Sequence, residues 1–151
     1  MKLPPNQLVS EVIQRTSNAK TREEKIEVLR HYDSPALRAI LIWNFDNRVR
    51  SALPEGEVPY TPNDAPIGTE HSKLTHEWQK FNHFVQGVNN LAQTKREVLF
   101  IQLCEALHKS EAELLCLTKD KQLHKRYKVT KAVVKDAFPE IVWGEEDEGD
   151  S

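Results

Sequence analysis

The chain is poor in glycine and has no long hydrophobic run. Only 5 of its 151 residues are Gly, which disfavours a fold of many short strands and tight turns. No apolar run approaches the ~20 residues that a membrane-spanning helix needs. The opening MKLPPNQL lacks the apolar segment of a secretory signal peptide. We therefore expect a soluble protein that stays in the compartment where it is made.

Sequence motifs of enzymes and metal sites are also missing. There is no G-x-S-x-G, no glycine-rich phosphate loop and no paired C-x-x-C. His71, His76 and His83 fall in one predicted helix, but HEWQKFNH has the wrong spacing for H-E-x-x-H. We interpret these histidines as solvated or structural. The sequence predicts no catalytic residue, no metal ligand, no cofactor and no small-molecule substrate, so we expect that the chain is not an enzyme.

The chain has 2 cysteines, and both lie in apolar helical patterns. Cys104 belongs to VLFIQLCEAL and Cys116 to LLCL. Apolar surroundings raise the pKa of a thiol and so disfavour a role as nucleophile. We predict two buried free thiols, in line with a reducing cytoplasm. A disulfide between them is the alternative.

Helical signals, by contrast, are frequent, and they predict an all-α fold of about six or seven helices in one compact domain, residues 1–143. A first helix is expected from about Pro5 to Ser17. Thr21 and Glu24 have the spacing of a capping box ahead of a second helix. Ser34 and Pro35 suit the start of a third. That third helix, ALRAILIWNF, is apolar around most of its surface and is expected to be central and buried.

The second half of the chain continues the helical pattern. A long amphipathic helix is predicted from Glu70 to Val88, and a last helix from about Thr130 to Phe138. Capping boxes are predicted at Thr94 with Glu97 and at Ser110 with Glu113. The predicted stripe of the long helix consists of Leu74, Trp78, Phe81, Val85 and Val88. The predicted common core consists of Ile40, Leu41, Trp78, Phe81, Phe100, Leu103 and Leu114.

A proline-rich segment, residues 51–68, interrupts the helices. Its sequence SALPEGEVPYTPNDAPIG contains four prolines and cannot form a continuous helix. Structureless loops of this length are uncommon in compact domains and are often functional. We predict a long ordered loop that Val58, Tyr60 and Ile67 hold against the helices. Val58 and Tyr60 are candidate partner-binding residues.

Charge is distributed unevenly near the C-terminus. Residues 119–139 contain seven Lys or Arg and two Asp. Cations with an interleaved aromatic side chain suit phosphate backbones and base stacking, although a solvated helix face or a protein-binding surface has the same composition. The candidate polyanion-binding residues are Lys119, Lys121, Lys125, Arg126, Tyr127, Lys128, Lys131 and Lys135.

The last twelve residues, 140–151, carry six acidic groups and no basic group. Such a segment repels itself, so residues 144–151 are predicted to be a disordered, flexible acidic tail. The tail can shield the neighbouring basic segment, solubilise the protein, or steer a partner. In the last case Ile141, Val142 and Trp143 are the candidate apolar partner-binding residues.

Three segments resemble a family of small uncharacterised proteins of T4-like tailed phages, especially phages of cyanobacteria. They are DSPALRAILIWNFD, LPEGEVPYTPNDAP with GTEHSKL, and TKREVLFIQLCEALHKSEAELL. The resemblance covers roughly residues 5–143. It implies a viral protein that acts in the cytoplasm of the host cell, or one carried in the virion. Since the family has no known function, it implies no catalytic residues.

The resulting functional hypothesis is a phage-encoded, non-enzymatic interaction protein. Its expected partner is a host or phage protein complex, such as replication, transcription or recombination machinery. A nucleic-acid-binding protein that uses residues 119–135 is one alternative, and a minor virion component is another. No membrane interaction is expected.

Overall fold

Helices form the framework of the computed structural model, which describes residues 7–64, 66, 71–88 and 90–143. In this part of the chain, β-pairing is limited to two isolated β-bridges, Ser51 with Val85 and Ser72 with Leu107. Two short 3-10 helices span Trp78–His83 and Leu123–Lys125. The all-α prediction is therefore confirmed. The α-helices are α1 (Val9–Asn18), α2 (Arg22–His31), α3 (Pro35–Phe45), α4 (Leu74–Glu77), α5 (Gln93–Ala106), α6 (Lys109–Lys119) and α7 (Lys131–Ala137).

Helices α3 and α6 lie at the centre of the packing. Helix α6 contacts α1, α3 and α5, whereas α2 joins α1 to α7. The buried apolar side chains of all these helices belong to one cluster. Helix α3 contributes Leu37, Ile40 and Leu41, none of which has exposed surface. Its apolar composition explains this position, because a helix that is apolar on several faces is stable only when other elements cover them.

Three predicted helix starts are confirmed by their capping bonds. The hydroxyls of Thr21, Ser34 and Thr130 accept hydrogen bonds from backbone N–H groups in the first turns of α2, α3 and α7. Each bond satisfies a donor that the helix itself leaves unpaired. The capping box at Thr21 differs from the prediction in one respect. The carboxylate of Glu24 accepts from the N–H of Lys20 at 3.1 Å.

The other two predicted capping boxes are wrong because both helices begin earlier than expected. Helix α5 starts at Gln93, ahead of Thr94, and Glu97 accepts a hydrogen bond from the Gln93 side chain at 2.9 Å. Helix α6 starts at Lys109. Its cap is the ring of His108, whose Nδ1 accepts from the N–H of Ser110 at 3.1 Å.

The predicted long helix from Glu70 to Val88 is also wrong. Helix α4 has 4 residues and passes into the 3-10 helix Trp78–His83. Beyond it, the N–H of Ala52 donates to the carbonyl of Phe84, and the N–H of Gln86 donates to the carbonyl of Arg50, both at 2.8 Å. This pairing requires non-helical backbone and ends the helix. Phe84, which lies off the predicted stripe, is buried, whereas Val88 is 53% exposed.

The predicted core is correct in outline. Six of its seven members are buried, and Trp78 packs against the same cluster while partly exposed. Val58 and Tyr60 of the proline-rich loop also pack on this cluster, as predicted. Ile67 and the acidic tail, residues 144–151, lie outside the described residues, so the predictions made for them stay predictions.

Candidate functional site

The C-terminal end of α6 holds the start of the proline-rich loop in place. Lys119 is only 2% exposed, and its ammonium donates to the carbonyls of Pro54 at 2.7 Å and Gly56 at 3.2 Å. It also pairs with the Asp120 carboxylate at 2.6 Å. Asp120 in turn accepts from the N–H of Gly56 at 3.1 Å. Gly56 has a φ of +104°, a conformation that glycine adopts without strain.

A second anchor lies further along the same loop. The N–H of Thr61 donates to the carboxylate of Glu105 at 2.8 Å, and the Asn63 side chain donates to the Glu105 carbonyl at 3.3 Å. Glu105 belongs to α5. Between the two anchors, Val58 and Tyr60 lie half-buried against the helices. The loop is therefore fixed on both sides of its two apolar side chains.

An open groove runs between this loop and the C-terminal part of α6, and we call it the interaction groove. Its volume is about 590 Å³. The apolar part of its surface comes from Val58, Tyr60, Cys116 and Leu117. The complete lining is Gly56, Glu57, Val58, Tyr60, Glu113, Cys116, Leu117, Asp120, Gln122, Lys125 and Arg126. The groove thus brings both loop candidates, Val58 and Tyr60, together with two candidates of the basic segment, Lys125 and Arg126.

The rim of the interaction groove carries charges of both signs. Arg126 pairs with Glu113 at 2.9 Å, and both side chains are about half exposed. Lys125 is exposed on the same side. Burial raises the pKa of Tyr60 to about 12, so its phenol stays neutral at physiological pH. The groove therefore offers apolar contact and a neutral hydroxyl, surrounded by exposed acids and bases.

Three residues predicted to bind polyanions are engaged by the protein itself: Lys119 and Tyr127 are buried, and Lys121 is partly buried. Lys119 is buried beneath the loop, as described above. The Lys121 ammonium donates to the carbonyls of Trp43 and Asp46 at the end of α3, the latter at 2.9 Å. Tyr127 is buried in the core. The ammonium groups of Lys119 and Lys121 thus donate to carbonyls of the chain itself, and the Tyr127 ring belongs to the core.

The other basic candidates have different surroundings. Lys125 and Arg126 lie at the interaction groove, and Arg126 is already paired with an acid. Lys128 and Lys135 are exposed. The Lys131 ammonium lies 5.3 Å from the centre of the Trp143 ring. The predicted basic segment is thus divided among structural contacts, the groove and the C-terminal segment.

The C-terminal apolar candidates are partly engaged with the helices. Ile141 and Trp143 pack against the core cluster, and the indole N–H of Trp143 is buried without an acceptor in the described residues. Val142 is 79% exposed. Its carbonyl accepts from Arg48 at 3.1 Å. Only Val142 of the three thus presents a fully open side chain.

Sequence reasoning missed the residues that α6 contributes to the groove. Glu113, Cys116 and Leu117 share one face of α6, and Asp120 follows at helical spacing directly after the last residue of the helix. Their mixed composition gives no amphipathic stripe, so the pattern alone does not distinguish them from an ordinary solvated face. The position of the loop identifies them.

Glu111, at the other end of α6, is the second residue whose role was missed. It has no exposed surface. Its two carboxylate oxygens accept from the N–H groups of Val9 and Leu74, at 2.8 and 2.9 Å. These residues begin α1 and α4, so one side chain caps two other helices. Burial raises the pKa of Glu111, although both hydrogen bonds oppose this shift.

The histidines are dispersed. The rings of His71 and His108 meet edge to face, with 5.3 Å between their centres, while His76 is exposed on α4. Within the residues that the structure describes, no group of three or more His, Cys, Asp or Glu side chains could hold a metal ion. None of the helices in that part of the chain is long and apolar enough to cross a membrane.

A protein-family model described as a family of unknown function (DUF6433) matches residues 12–125. The chain belongs to the DUF6433 family. The match extends from within α1 to the 3-10 helix Leu123–Lys125 and so includes every residue that lines the interaction groove except Arg126. Helix α7 and the C-terminal apolar segment lie outside the DUF6433 match. No curated protein and no solved structure matches the chain.

Proposed function

We propose that this DUF6433 protein is a non-enzymatic interaction protein of a T4-like phage, which binds a protein complex in the infected host through the interaction groove. The supporting observation is the fixed loop between Pro54 and Asn63. Five hydrogen bonds hold it at its two ends, two donated by Lys119 and one each by Gly56, Thr61 and Asn63. A partner therefore meets a surface that is already ordered, which lowers the entropy cost of binding.

The composition of the interaction groove favours a protein partner over nucleic acid. Its apolar floor contains a tyrosine, and partly desolvated aromatic residues contribute strongly to protein interfaces. Glu57, Glu113 and Asp120 lie on its lining beside Lys125 and Arg126. These acids repel a phosphate backbone, but they can pair with the basic groups of a protein. Replication, transcription or recombination machinery is the class of partner that we propose.

Quantitative affinity capture from infected host cells tests this proposal. The bait is the full chain, compared with a groove variant that combines Tyr60→Ala and Arg126→Glu. Truncation of an interface hot spot costs about 2 kcal/mol or more, roughly 30-fold in affinity. We expect the groove variant to lose one specific protein complex while it still unfolds in one cooperative thermal transition above the temperature of the capture experiment.

The matched control is Lys80→Glu, a charge reversal on the exposed 3-10 helix outside the groove. It should retain the complex. Equal capture by the wild type and the groove variant would contradict the proposal. Loss of capture after nuclease treatment would favour the nucleic-acid alternative instead.

A direct binding assay separates the two alternatives further. If the exposed lysines bind DNA or RNA, deletion of residues 145–151 should strengthen binding, since a competing anion is removed. Affinity should then fall steeply with salt, with a log–log slope of about −0.9 per phosphate contact on duplex DNA. We expect only weak binding, in the range of about 10⁻⁴–10⁻⁶ M typical of non-specific contacts. Sub-micromolar affinity at ~150 mM salt would overturn the preference for a protein partner.

A further inference from the structure

The two cysteines face each other between α5 and α6. Cys104 and Cys116 are both free, and 3.9 Å separates their Sγ atoms. Cys104 has no exposed surface. Cys116 is partly exposed and lines the interaction groove. One accessible thiol therefore lies in direct contact with a second thiol that solvent does not reach.

The surroundings give the two thiols different chemistry. The pKa of Cys116 is lowered, first by a hydrogen bond from the Cys104 thiol and then by the Lys119 ammonium. Burial of Cys116 opposes this shift, as do the carboxylates of Asp120 and Glu113. The pKa of Cys104 is raised, by its contact with Cys116 and by burial. Of the two thiols, Cys116 is therefore the one that ionises more readily.

We propose that Cys104 and Cys116 form a redox site that hydroperoxides convert to an intramolecular disulfide. The geometry carries the proposal, because the pair unites a nucleophilic sulfur open to the groove with a partner sulfur close behind it. Such a pair has the arrangement of a peroxide-sensing cysteine beside a resolving cysteine. The oxidation does not depend on whether the groove binds a protein.

The reaction proceeds in two balanced steps. The Cys116 thiolate attacks one peroxide oxygen, so that an S–O bond forms and the O–O bond breaks. The sulfur is oxidised to a sulfenic acid, and the departing oxygen leaves as hydroxide or alkoxide, which takes a proton to give water or an alcohol. Cys104 then loses its proton and attacks the Cys116 sulfur. The S–S bond forms, the S–O bond breaks, and a water molecule leaves.

Formation of the disulfide requires only a local movement. The sulfurs must approach from 3.9 Å to about 2.05 Å. Both residues belong to helices that already pack against each other. The sulfenic acid is short-lived, since the resolving thiol is adjacent.

Mass spectrometry of the full chain after treatment with hydrogen peroxide tests the proposal. The reduced protein is treated with a small excess of peroxide at low protein concentration, alkylated, and digested without reduction. We expect a cross-linked peptide pair that contains Cys104 and Cys116 in a monomeric product, and we expect dithiothreitol to restore both thiols. Because the chain has 2 cysteines, no other thiol competes.

Two single variants assign the roles. In Cys104→Ser, the Cys116 sulfenic acid should persist and be trapped by a 1,3-diketone probe. In Cys116→Ser, the remaining thiol should react with peroxide at about one tenth of the wild-type rate or more slowly, since Cys104 ionises less readily than Cys116. Cys104→Ala replaces Cys104→Ser if the buried hydroxyl destabilises the fold, as judged by thermal melting.

Several results would overturn the proposal. One is recovery of both alkylated thiols from the peroxide-treated wild type under conditions that oxidise free cysteine. A second is a disulfide formed only between two chains. A third is a folded Cys116→Ser protein that consumes peroxide as fast as the wild type.

Discussion

The two ends of α6 carry buried side chains of opposite charge, and these two side chains bind different parts of the protein. Glu111 at the N-terminal end is 0% exposed and accepts N–H groups from the starts of α1 and α4. Lys119 at the C-terminal end is 2% exposed and donates to carbonyls of the proline-rich loop. Both signs are also favourable for the dipole of α6 itself. Each end therefore satisfies backbone groups that belong to other segments.

The difference lies in what each charge positions. Glu111 fixes helix against helix, and the site is closed on every side. Lys119 fixes a loop, and that loop presents Val58 and Tyr60 beside an open groove. A buried charge is costly unless it is fully paired. At the first end it stabilises the framework, whereas at the second it stabilises the surface that we propose for a partner.

Replacement of Glu111 should give the largest effect. Glu111→Ala leaves the N–H groups of Val9 and Leu74 without acceptors inside the protein, and each such group costs about 1–3 kcal/mol. With the lost packing, we expect the free energy of unfolding to fall by about 3–5 kcal/mol. Urea denaturation measures this. Glu113→Ala, on the exposed face of α6, is the matched control. Equal loss in both variants would contradict the role of Glu111.

Replacement of Lys119 should come next. Lys119→Met keeps the volume but removes the donor to Pro54 and Gly56 and leaves the Asp120 carboxylate unpaired. We expect a loss of about 2–4 kcal/mol, because removal of one partner of a buried pair is strongly destabilising. Limited proteolysis should also cut faster within residues 54–63. Lys125→Met, an exposed neighbour, should change neither. An unaltered cleavage rate in Lys119→Met would show that the loop is held by other contacts.

Lys121 should give a smaller effect that depends on pH. Burial lowers the pKa of Lys121 to about 8, whereas the unfolded chain has the ordinary lysine pKa of about 10.4. Between these values the unfolded state binds more protons, so the contribution of Lys121 to stability rises with pH. That contribution is complete above about 10.4 and is lost as pH falls through 8.

The check is a comparison of the wild type with Lys121→Met by denaturant titration across pH 7 to 10.5. The difference in unfolding free energy should move in favour of the wild type as pH increases. A difference that is independent of pH would mean that Lys121 titrates as an ordinary exposed lysine.

The pair on the groove rim should contribute least to stability. Arg126 and Glu113 are 52% and 47% exposed, and exposed ion pairs contribute about 0–1 kcal/mol. Arg126→Ala should therefore leave the melting temperature nearly unchanged. Its expected effect is on partner capture. A loss of stability comparable to that of Lys119→Met would place Arg126 in the framework rather than on an interaction surface.

Local signals predicted the start of a helix well where a side chain caps its own helix, as Thr21, Ser34 and Thr130 do. They failed where the decisive partner is distant in sequence. Phe84 and Gln86 pair with the backbone at Arg50 and Ala52, and no local pattern indicates that pairing. The predicted long helix was wrong for this reason.

The sequence predicted the candidate site only in part, again because some of the deciding contacts are distant in sequence. Proline spacing indicated the loop, and charge indicated residues 119–139, but neither showed which lysines bind carbonyls of the chain itself. Lys119 and Lys121 are separated from Lys125 by only a few residues, yet their ammonium groups donate to carbonyls 63 to 78 positions away. The sequence gives the sign of a side-chain charge, whereas the group that this charge binds depends on the tertiary fold.

Site-specific photocrosslinking in host cells infected by the proposed phage tests the central claim most directly. A photoreactive phenylalanine analogue is placed at Glu113, on the rim of the interaction groove, or at Val98, which is 45% exposed on α5 and outside the groove. The account predicts a discrete crosslinked protein from position 113 that is absent from position 98 and that disappears when Tyr60→Ala is added. A crosslink to the same protein from both positions, or from position 98 alone, would contradict the assignment of the groove as the partner-binding surface.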